Sequence, residues 1–235
     1  MPLPYQISQH PFITNLKQAI ENYSPELVAH SERTKAFAYT LIKQMLTKKH
    51  FYKTLMQNDY PSIIEAIAIH DIGKTKIATE IFSKPDRLSD HEYMLMQNHV
   101  VFGKGIIYRT IGNKDMDSVA LQNCLDVVIH HHEWYDGKGY MQGLKGTHIP
   151  LPARIAAIVD VYDALVHERC YKGAMTHKQA LDAIMCECGT HFDPKIAEVF
   201  FEVSHTINEE NLSFNKAIKI RPPSEITKRI RIPAI

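Results

Sequence analysis

The chain is short of cysteine pairs, of excess charge and of long apolar runs, and each shortage removes a class of function. Its four cysteines, Cys124, Cys170, Cys186 and Cys188, show no C-x-x-C spacing. Neither a disulfide framework nor a cysteine-bound zinc module is indicated, and a reducing cytoplasm is the expected compartment. Lys and Arg total 27 against 26 Asp and Glu, so no global field gathers a polyanion and any anion must be recognised by a local cluster. Long nucleic acid is therefore not an expected partner. Met1 to Phe12 is polar and punctuated by proline rather than basic and then apolar, which does not make a signal peptide. No run approaches membrane-spanning length, so no membrane insertion is expected. There is no internal repeat, and no alternating run is long enough to demand a sheet. No receiver or sensory domain is recognisable before Ser24, so regulatory input is expected from elsewhere, from a regulatory protein or from a larger chain of which this is a piece.

What the chain does have is histidine, 14 in 235 residues, several of them beside carboxylates. That composition leans toward metal chemistry. A hydrophobic content of 45% is ample for one core. The expected fold is all-α, a helical bundle around a buried multinuclear metal site. Residues 1–23 are expected as a helical lead-in, 24–210 as the catalytic domain and 211–235 as a basic tail, in which Lys216, Lys219, Arg221, Lys228, Arg229 and Arg231 face a single acid, Glu225.

Ser24 before Pro25 marks a helix start, and Glu26 and His30 then share a face at i, i+4 spacing. From about Pro61 to His70 the pattern is apolar on nearly every side, as for a central helix, with His70 and Asp71 at its end and Gly73 turning the chain. Ser89 to Glu92 forms a capping-box pattern that opens a helix carrying His99 through about Ile111, closed by Gly112-Asn113. A helix from about Asp117 brings His131 and His132 to its end. The loop Glu133 to Pro150, rich in glycine and charge, reads as a substrate wall. Leu151 to Val166 is an apolar helix that nevertheless holds Arg154, Asp160 and Asp163. Thr176 to Gln179 and Asp193-Pro194 open two more helices, Gly189 ends the first of them, and after about Asn211 the helical pattern fades.

Taken together, Glu26, His30, His70, Asp71, His99, His131, His132 and Asp160 supply five imidazoles and three carboxylates. Bound metal can lower the pKa of water from 15.7 to about 7, and paired ions can clamp attacking and leaving oxygens. A carboxylate must bridge such a pair, because an imidazole nitrogen offers one lone pair. Asp71, beside His70 and central among the ligands, is the candidate bridge.

These residues resemble the HD-GYP phosphodiesterases of the HD superfamily, which degrade cyclic dinucleotides, chiefly cyclic di-GMP. The likeness covers roughly Ser24 to Phe201: His30-x-x-Arg33, His70-Asp71-Ile72-Gly73-Lys74, Lys84-Pro85, His99, His131-His132-Glu133, Asp136-Gly137-Lys138-Gly139-Tyr140, Ala153-Arg154-Ile155, Asp160 to Leu165, and Arg169-Cys170-Tyr171. The resemblance implies metal ligation by His30, His70, Asp71, His99, His131, His132 and Asp160. It adds Glu26 in members that hold three ions rather than two. It also implies iron or manganese as the metal, contact with the scissile phosphate by Lys74, a second phosphate contact by Arg169, and a substrate-loop role for Tyr140. The signature departs at Met141, where the family has proline. Loss of proline's stiffening should loosen the loop that carries Tyr140 and bears on substrate choice more than on hydrolysis.

The expected activity is metal-dependent hydrolysis of a cyclic dinucleotide to linear dinucleotide, with mononucleotide as a further product. A homodimer or a regulatory protein is the expected macromolecular partner. Two alternatives stand beside this: another HD-superfamily nucleotide phosphohydrolase, and a cyclic dinucleotide receptor without catalysis. At single positions, Glu26 reads either as a ligand or as a solvated carboxylate of the first helical turn. Asp163 reads either as the group that orients a ligand imidazole or as a helix-internal acceptor. His130 reads as a neighbour of the site, and His167, His177, His191 and His205 as surface or capping residues.

Overall fold

The computed structural model describes residues 11–82, 84, 86–112, 118–167 and 173–220, with side chains as far as 216. The expected all-α fold is what it shows: among the described residues there is no strand, only an isolated bridge between Cys188 and Phe192.

Helix α1 spans Pro11–Glu21 and α2 spans Pro25–Met45. Helix α2 starts where the sequence places it, because Ser24 is extended and its hydroxyl accepts the Leu27 N–H at 3.4 Å while Pro25 fills the first position. Helices α3 (Lys49–Gln57) and α4 (Tyr60–Ile67) follow. In α4, Ile63, Ile64, Ala66 and Ile67 are all buried, so this helix runs through the centre. It ends three residues before the expected His70. Ile69 N–H bonds Ala66 O at 3.1 Å and His70 N–H bonds Ile67 O at 3.3 Å, and these i to i+3 bonds tighten the last turn into a short 3-10 segment, Ile72–Lys76.

Gly73 serves this segment by close approach rather than by a left-handed turn. A Cβ there would stand 1.7 Å from the His99 carbonyl oxygen, so only glycine lets the 3-10 turn lie against the helix that carries His99.

After α5 (Thr79–Phe82), the helix expected from Ser89 to Ile111 divides into α6 (Asp90–Gln97) and α7 (His99–Ile111). The capping box forms, with Ser89 Oγ accepting from Glu92 N at 3.3 Å and Glu92 Oε2 accepting from Ser89 N at 2.8 Å. Beside the division at Asn98, the His99 ring donates to the Met96 carbonyl at 2.7 Å. Helix α8 (Val119–His130) is capped by Ser118, whose hydroxyl accepts from Leu121 N; the expected start at Asp117 lies outside the described residues. Helices α9 (Leu151–Val166), α10 (His177–Cys186) and α11 (Pro194–Ile220) complete the chain.

The core forms where α4 meets α8 and where α2 meets α9 and α11. Phe37, Leu41, Ile63, Ile67, Val127, Ile155, Ile158, Tyr162 and Phe200 are buried there, each contributing about 1.5–3 kcal/mol by removal from water. The lead-in belongs to this core, since Phe12, Ile13, Leu16 and Ile20 of α1 join it. Lys17 of α1 and Lys35 of α2, the latter at 2.8 Å, both meet the buried Glu65 carboxylate of α4. Helix α11 continues past Asn211, where the sequence pattern fades. The buried stripe ends there, with Leu212 51% exposed, but no glycine or proline stops the backbone before Pro222. The rest of the basic tail, 221–235, lies outside the described residues.

Candidate metal centre

The tightened end of α4 aims His70 and Asp71 into the bundle, and residues of α2, α7, α9 and the end of α8 face them. In four of the five rings Nδ1 is already committed. His70 Nδ1 donates to Ile67 O at 2.8 Å, His99 Nδ1 to Met96 O at 2.7 Å, and His131 Nδ1 to Val127 O at 2.9 Å. His30 Nδ1 donates to Asp163 Oδ2 at 2.7 Å. A carbonyl oxygen can only accept, so the proton sits on Nδ1 and the Nε2 lone pair faces the interior.

Those lone pairs converge on Asp71 from two sides. Its Oδ1 lies 3.5 Å from His99 Nε2 and 3.8 Å from His131 Nε2. Its Oδ2 lies 3.3 Å from His70 Nε2 and 3.6 Å from His30 Nε2. Asp160 Oδ1 closes the second side, 3.3 Å from His30 Nε2 and 3.6 Å from His70 Nε2. The donor atoms therefore form one group of Asp71, His99, His131 and His132 and another of His30, His70 and Asp71, each within 4.8 Å.

This donor set fits metal ions. Asp71 Oδ1 is buried and has no hydrogen-bond partner, an arrangement that costs about 1–3 kcal/mol unless something positive meets the oxygen. The Nε2 atoms of His30 and His70 stand 3.1 Å apart and those of His99 and His131 stand 3.4 Å apart. In the neutral rings that metal ligation requires, with Nδ1 as the donor, each such contact sets lone pair against lone pair, which a shared cation resolves. Donors held at about 2.0–2.2 Å from one ion stand roughly this far from each other.

Charge in the site follows its carboxylates. Burial opposes a charged ring throughout. At His70 the Asp71 and Asp160 carboxylates overcome it and push the ring up to about 10, and at His30 the Asp160 and Asp163 carboxylates also raise it. Burial wins at His131, pushed down to about 3 with His70 and His99 adding to the effect, and it lowers His99 and His132 as well. Burial would raise Asp71 and Asp160, but Lys74 and His70 at the first and His30 and His70 at the second hold both well below the usual carboxylate range.

The remaining expected residues sort as follows. Lys74 reaches the centre, with its ammonium 2.5 Å from Asp71 Oδ2. Tyr140 lies over it, its ring stacked on His132 at 4.7 Å and 28°. Burial raises its phenol, and Tyr93, Asp71 and Asp160 raise it further, so it stays protonated. Glu26 is exposed and joins neither donor group: it sits in the first turn of α2, one turn out from His30, where its carboxylate meets solvent. Arg169, with Pro85, Cys170 and Tyr171, lies outside the described residues.

Asp163 proves to be an interhelical acceptor. Besides His30 it takes Arg33 Nε at 2.6 Å and Arg33 Nη2 at 2.9 Å, while His167 Nδ1, which donates to the Asp163 backbone carbonyl at 3.0 Å, lies 3.1 Å from its Oδ1. His167, read from the sequence as a surface or capping residue, is the C-cap of α9. Concavity is a poor guide here: a cavity of 690 Å³ lies away from the imidazoles, between α1, the 3-10 turn and α7, lined by Tyr23, Thr75, Lys76 and Arg109 among others. Donor chemistry, not hollow volume, marks the centre.

A profile described as the HD domain matches residues 15–196. The chain belongs to the HD-domain family. Similar proteins come from Vibrio cholerae serotype O1. One named "Probable cyclic di-GMP phosphodiesterase" is 34% identical over 83% of this chain and 43% of its own length. A "3'3'-cGAMP-specific phosphodiesterase 2" is 35% identical over 81% and 34%, and a "Cyclic di-GMP phosphodiesterase" is 33% identical over 81% and 39%. The chain thus spans less than half the length of these relatives. Among its described residues no helix is long and apolar enough to cross a membrane.

Proposed function

We propose that this HD-domain chain hydrolyses a 3′-5′ phosphodiester bond of cyclic di-GMP, releasing the linear dinucleotide and, on further cleavage, mononucleotide. The observation that carries the reading is the set of imidazoles locked at Nδ1 with Nε2 facing the two oxygens of Asp71. A receptor needs no such donor set, and the names of the similar relatives support the substrate class.

His99, His131, His132 and Asp71 Oδ1 would hold one ion, and His30, His70, Asp160 and Asp71 Oδ2 another. Iron or manganese follows from the resemblance to HD-GYP enzymes and suits mixed N and O donors. Bound there, such ions supply acidified water and positive charge for the phosphate oxygens. The chain's own groups do the rest. Asp163 and three backbone carbonyls keep the rings oriented. Lys74 brings an ammonium to the rim, where it would meet a non-bridging phosphate oxygen. The protonated Tyr140 phenol donates to a substrate oxygen, and Arg169 is assigned the second phosphate. Among the described residues Cys124, Cys186 and Cys188 are free thiols, in keeping with a reducing cytoplasm. Exposed Tyr93, Met94, Val101 and Phe102 on α6 and α7 offer apolar surface to a homodimer or a regulatory protein.

A second substrate is favoured by one observation: a relative of 35% identity is named for 3′3′-cGAMP. The test is elemental analysis of anaerobically purified protein, with turnover of cyclic di-GMP and of 3′3′-cGAMP measured on the same sample. Two ions per chain and linear product from cyclic di-GMP is the expected result. Product from 3′3′-cGAMP alone would reassign the substrate, and a metal-loaded chain that binds either compound without cleaving it would make the protein a receptor.

A further inference from the structure

The loop that carries Tyr140 runs from Trp134 to Lys145 between α8 and α9, and several features tie it down. Its first limb is held by its backbone: Tyr135 N–H bonds His191 O at 3.0 Å, and Asp136 N–H bonds Thr190 O at 2.8 Å, beside the stacked rings of Trp134 and His191. Its middle is pressed onto the end of α8, with Tyr140 N–H on His132 O at 3.1 Å. A Cβ on Gly139 would lie 2.2 Å from Trp134 N and 2.4 Å from His132 O. The second limb is tied to a side chain. Glu133, only 2% exposed, accepts the Gln142 N–H at 2.6 Å on one oxygen and the Leu144 N–H at 3.0 Å on the other.

We infer that Glu133 is the positioning residue for Tyr140, clamping the limb beyond Met141 so that the loop keeps its place over His132 without a stiff residue at 141. The inference rests on the function proposed above for its kinetic consequence only. Both bonds are made by a buried side chain to main-chain donors, the charge-assisted kind that is roughly twice as strong as a neutral pair. They bracket Gly143, whose positive φ of 67° lets the chain reverse between them. Met141 makes no such tie. Its side chain is 45% exposed, so the residue that departs from the HD-GYP pattern sits at the open edge of a loop whose anchor is elsewhere. Glu133 touches the loop's main chain, not the Asp71 cluster, so its loss should move Tyr140 and leave the ion-holding groups in place.

The test uses the metal-replete chain and the variants Glu133→Gln, Glu133→Ala and Met141→Pro. Glu133→Ala should speed hydrogen exchange at the Gln142 and Leu144 amides at least tenfold, raise KM for cyclic di-GMP about tenfold or more, change kcat less than threefold, and leave the metal count unchanged. Glu133→Gln keeps the shape and one acceptor oxygen, so it should fall between wild type and alanine. Met141→Pro should shift KM less than threefold.

Unaltered exchange at both amides in Glu133→Ala would overturn the inference, as would loss of metal and kcat with KM unmoved. A drop in KM of tenfold in Met141→Pro would put control of the loop back at position 141 and overturn it too. Exchange and metal content do not depend on turnover. An inactive wild type therefore overturns the proposed function, while faster exchange in Glu133→Ala still supports the clamp.

Discussion

Replacing Asp163 by asparagine tests whether the bundle holds His30 through a charge rather than through shape. The carboxylate is 2% exposed, Arg33 is 7% exposed, and the pair is bidentate at 2.6 and 2.9 Å, with His30 Nδ1 at 2.7 Å on the same group. Asparagine keeps the volume and one acceptor oxygen. Its amide NH₂ must then face either the Arg33 guanidinium or the His30 N–H, donor against donor, and the buried Arg33 charge loses its counterion. Breaking such a pair on one side costs about 3–5 kcal/mol. The expected result is a loss of that size in urea unfolding of chelator-treated protein at pH 7, where metal binding cannot add its own stabilisation.

Two controls sharpen this test. Removing both charges, in Arg33→Met with Asp163→Leu, should restore most of the loss, because the desolvation cost disappears with the pair. Burial would raise the Asp163 pKa, but Arg33, with His167 and His30, holds it far below the ordinary value. A folded pKa below the unfolded one means the pair's contribution is complete above about pH 4 and is lost as pH falls toward the folded value. The difference between wild type and Asp163→Asn should therefore be full at pH 7 and shrink below about pH 4. In the metal-replete protein the same substitution should weaken metal affinity about 10- to 100-fold by freeing the His30 ring. A loss under about 1 kcal/mol at pH 7, or metal affinity equal to wild type, would refute the reasoning.

Asp71→Asn should retain the helical circular-dichroism spectrum and lose at least about a thousandfold in turnover, since one oxygen of the shared carboxylate loses its charge; wild-type rates with full metal would remove Asp71 from the site. Gly73→Ala should destabilise by about 3 kcal/mol because its Cβ meets the His99 backbone at 1.7 Å, whereas Gly103→Ala should cost less, because its new Cβ meets one Val128 methyl at 2.5 Å rather than backbone. The reverse order in thermal melts would discredit the close approach of the 3-10 turn to α7. Glu26→Ala should leave the metal count unchanged, and a fall of one ion per chain by elemental analysis would bring Glu26 back as a ligand. Adding Mn²⁺ to chelated protein at 100 times its Kd should raise unfolding stability by about 2.7 kcal/mol, and an unchanged melting curve would argue against any ordered metal in this cluster.

Local hydrogen bonding is what the sequence reveals best. Ser24, Ser89 and Thr176 each cap the helix their spacing announces, and α9 spans the expected Leu151–Val166, because these signals need only neighbours in the chain. The end of α4 at Ile67 and the break at Asn98 were not readable. At each an imidazole donates to a nearby backbone carbonyl, His70 to Ile67 O and His99 to Met96 O, inside a cluster that only the packed helices assemble. The donor residues themselves were visible as an ordered set of histidines and aspartates. Asp163 remained open between two roles because its partners His30 and Arg33 come from α2, 133 and 130 residues away, and only helix packing brings them in. Glu26 shares a helix face with His30, yet spacing along a helix does not say how deep the first turn sits. It sits at the surface.

The position of Asp71 explains why the motif pairs histidine with aspartate at a tightened helix end. The i to i+3 bonds at Ile69 and His70 end the regular helix here, and beyond it His70 contributes to one side while Asp71 faces both. A carboxylate is then the one side chain with an oxygen for each group, Oδ2 toward His30 and His70 and Oδ1 toward His99 and His131. Glutamate would carry the same charge on a longer, looser stem, and asparagine the same shape with a donor on one side. Gly73 completes the logic, since the turn that aims Asp71 must also lie flat against α7 to meet His99. Four consecutive residues thus have linked duties: His70 gives one donor nitrogen, Asp71 faces both groups, Ile72 is buried in the core, and Gly73 permits the contact that brings the second group within reach.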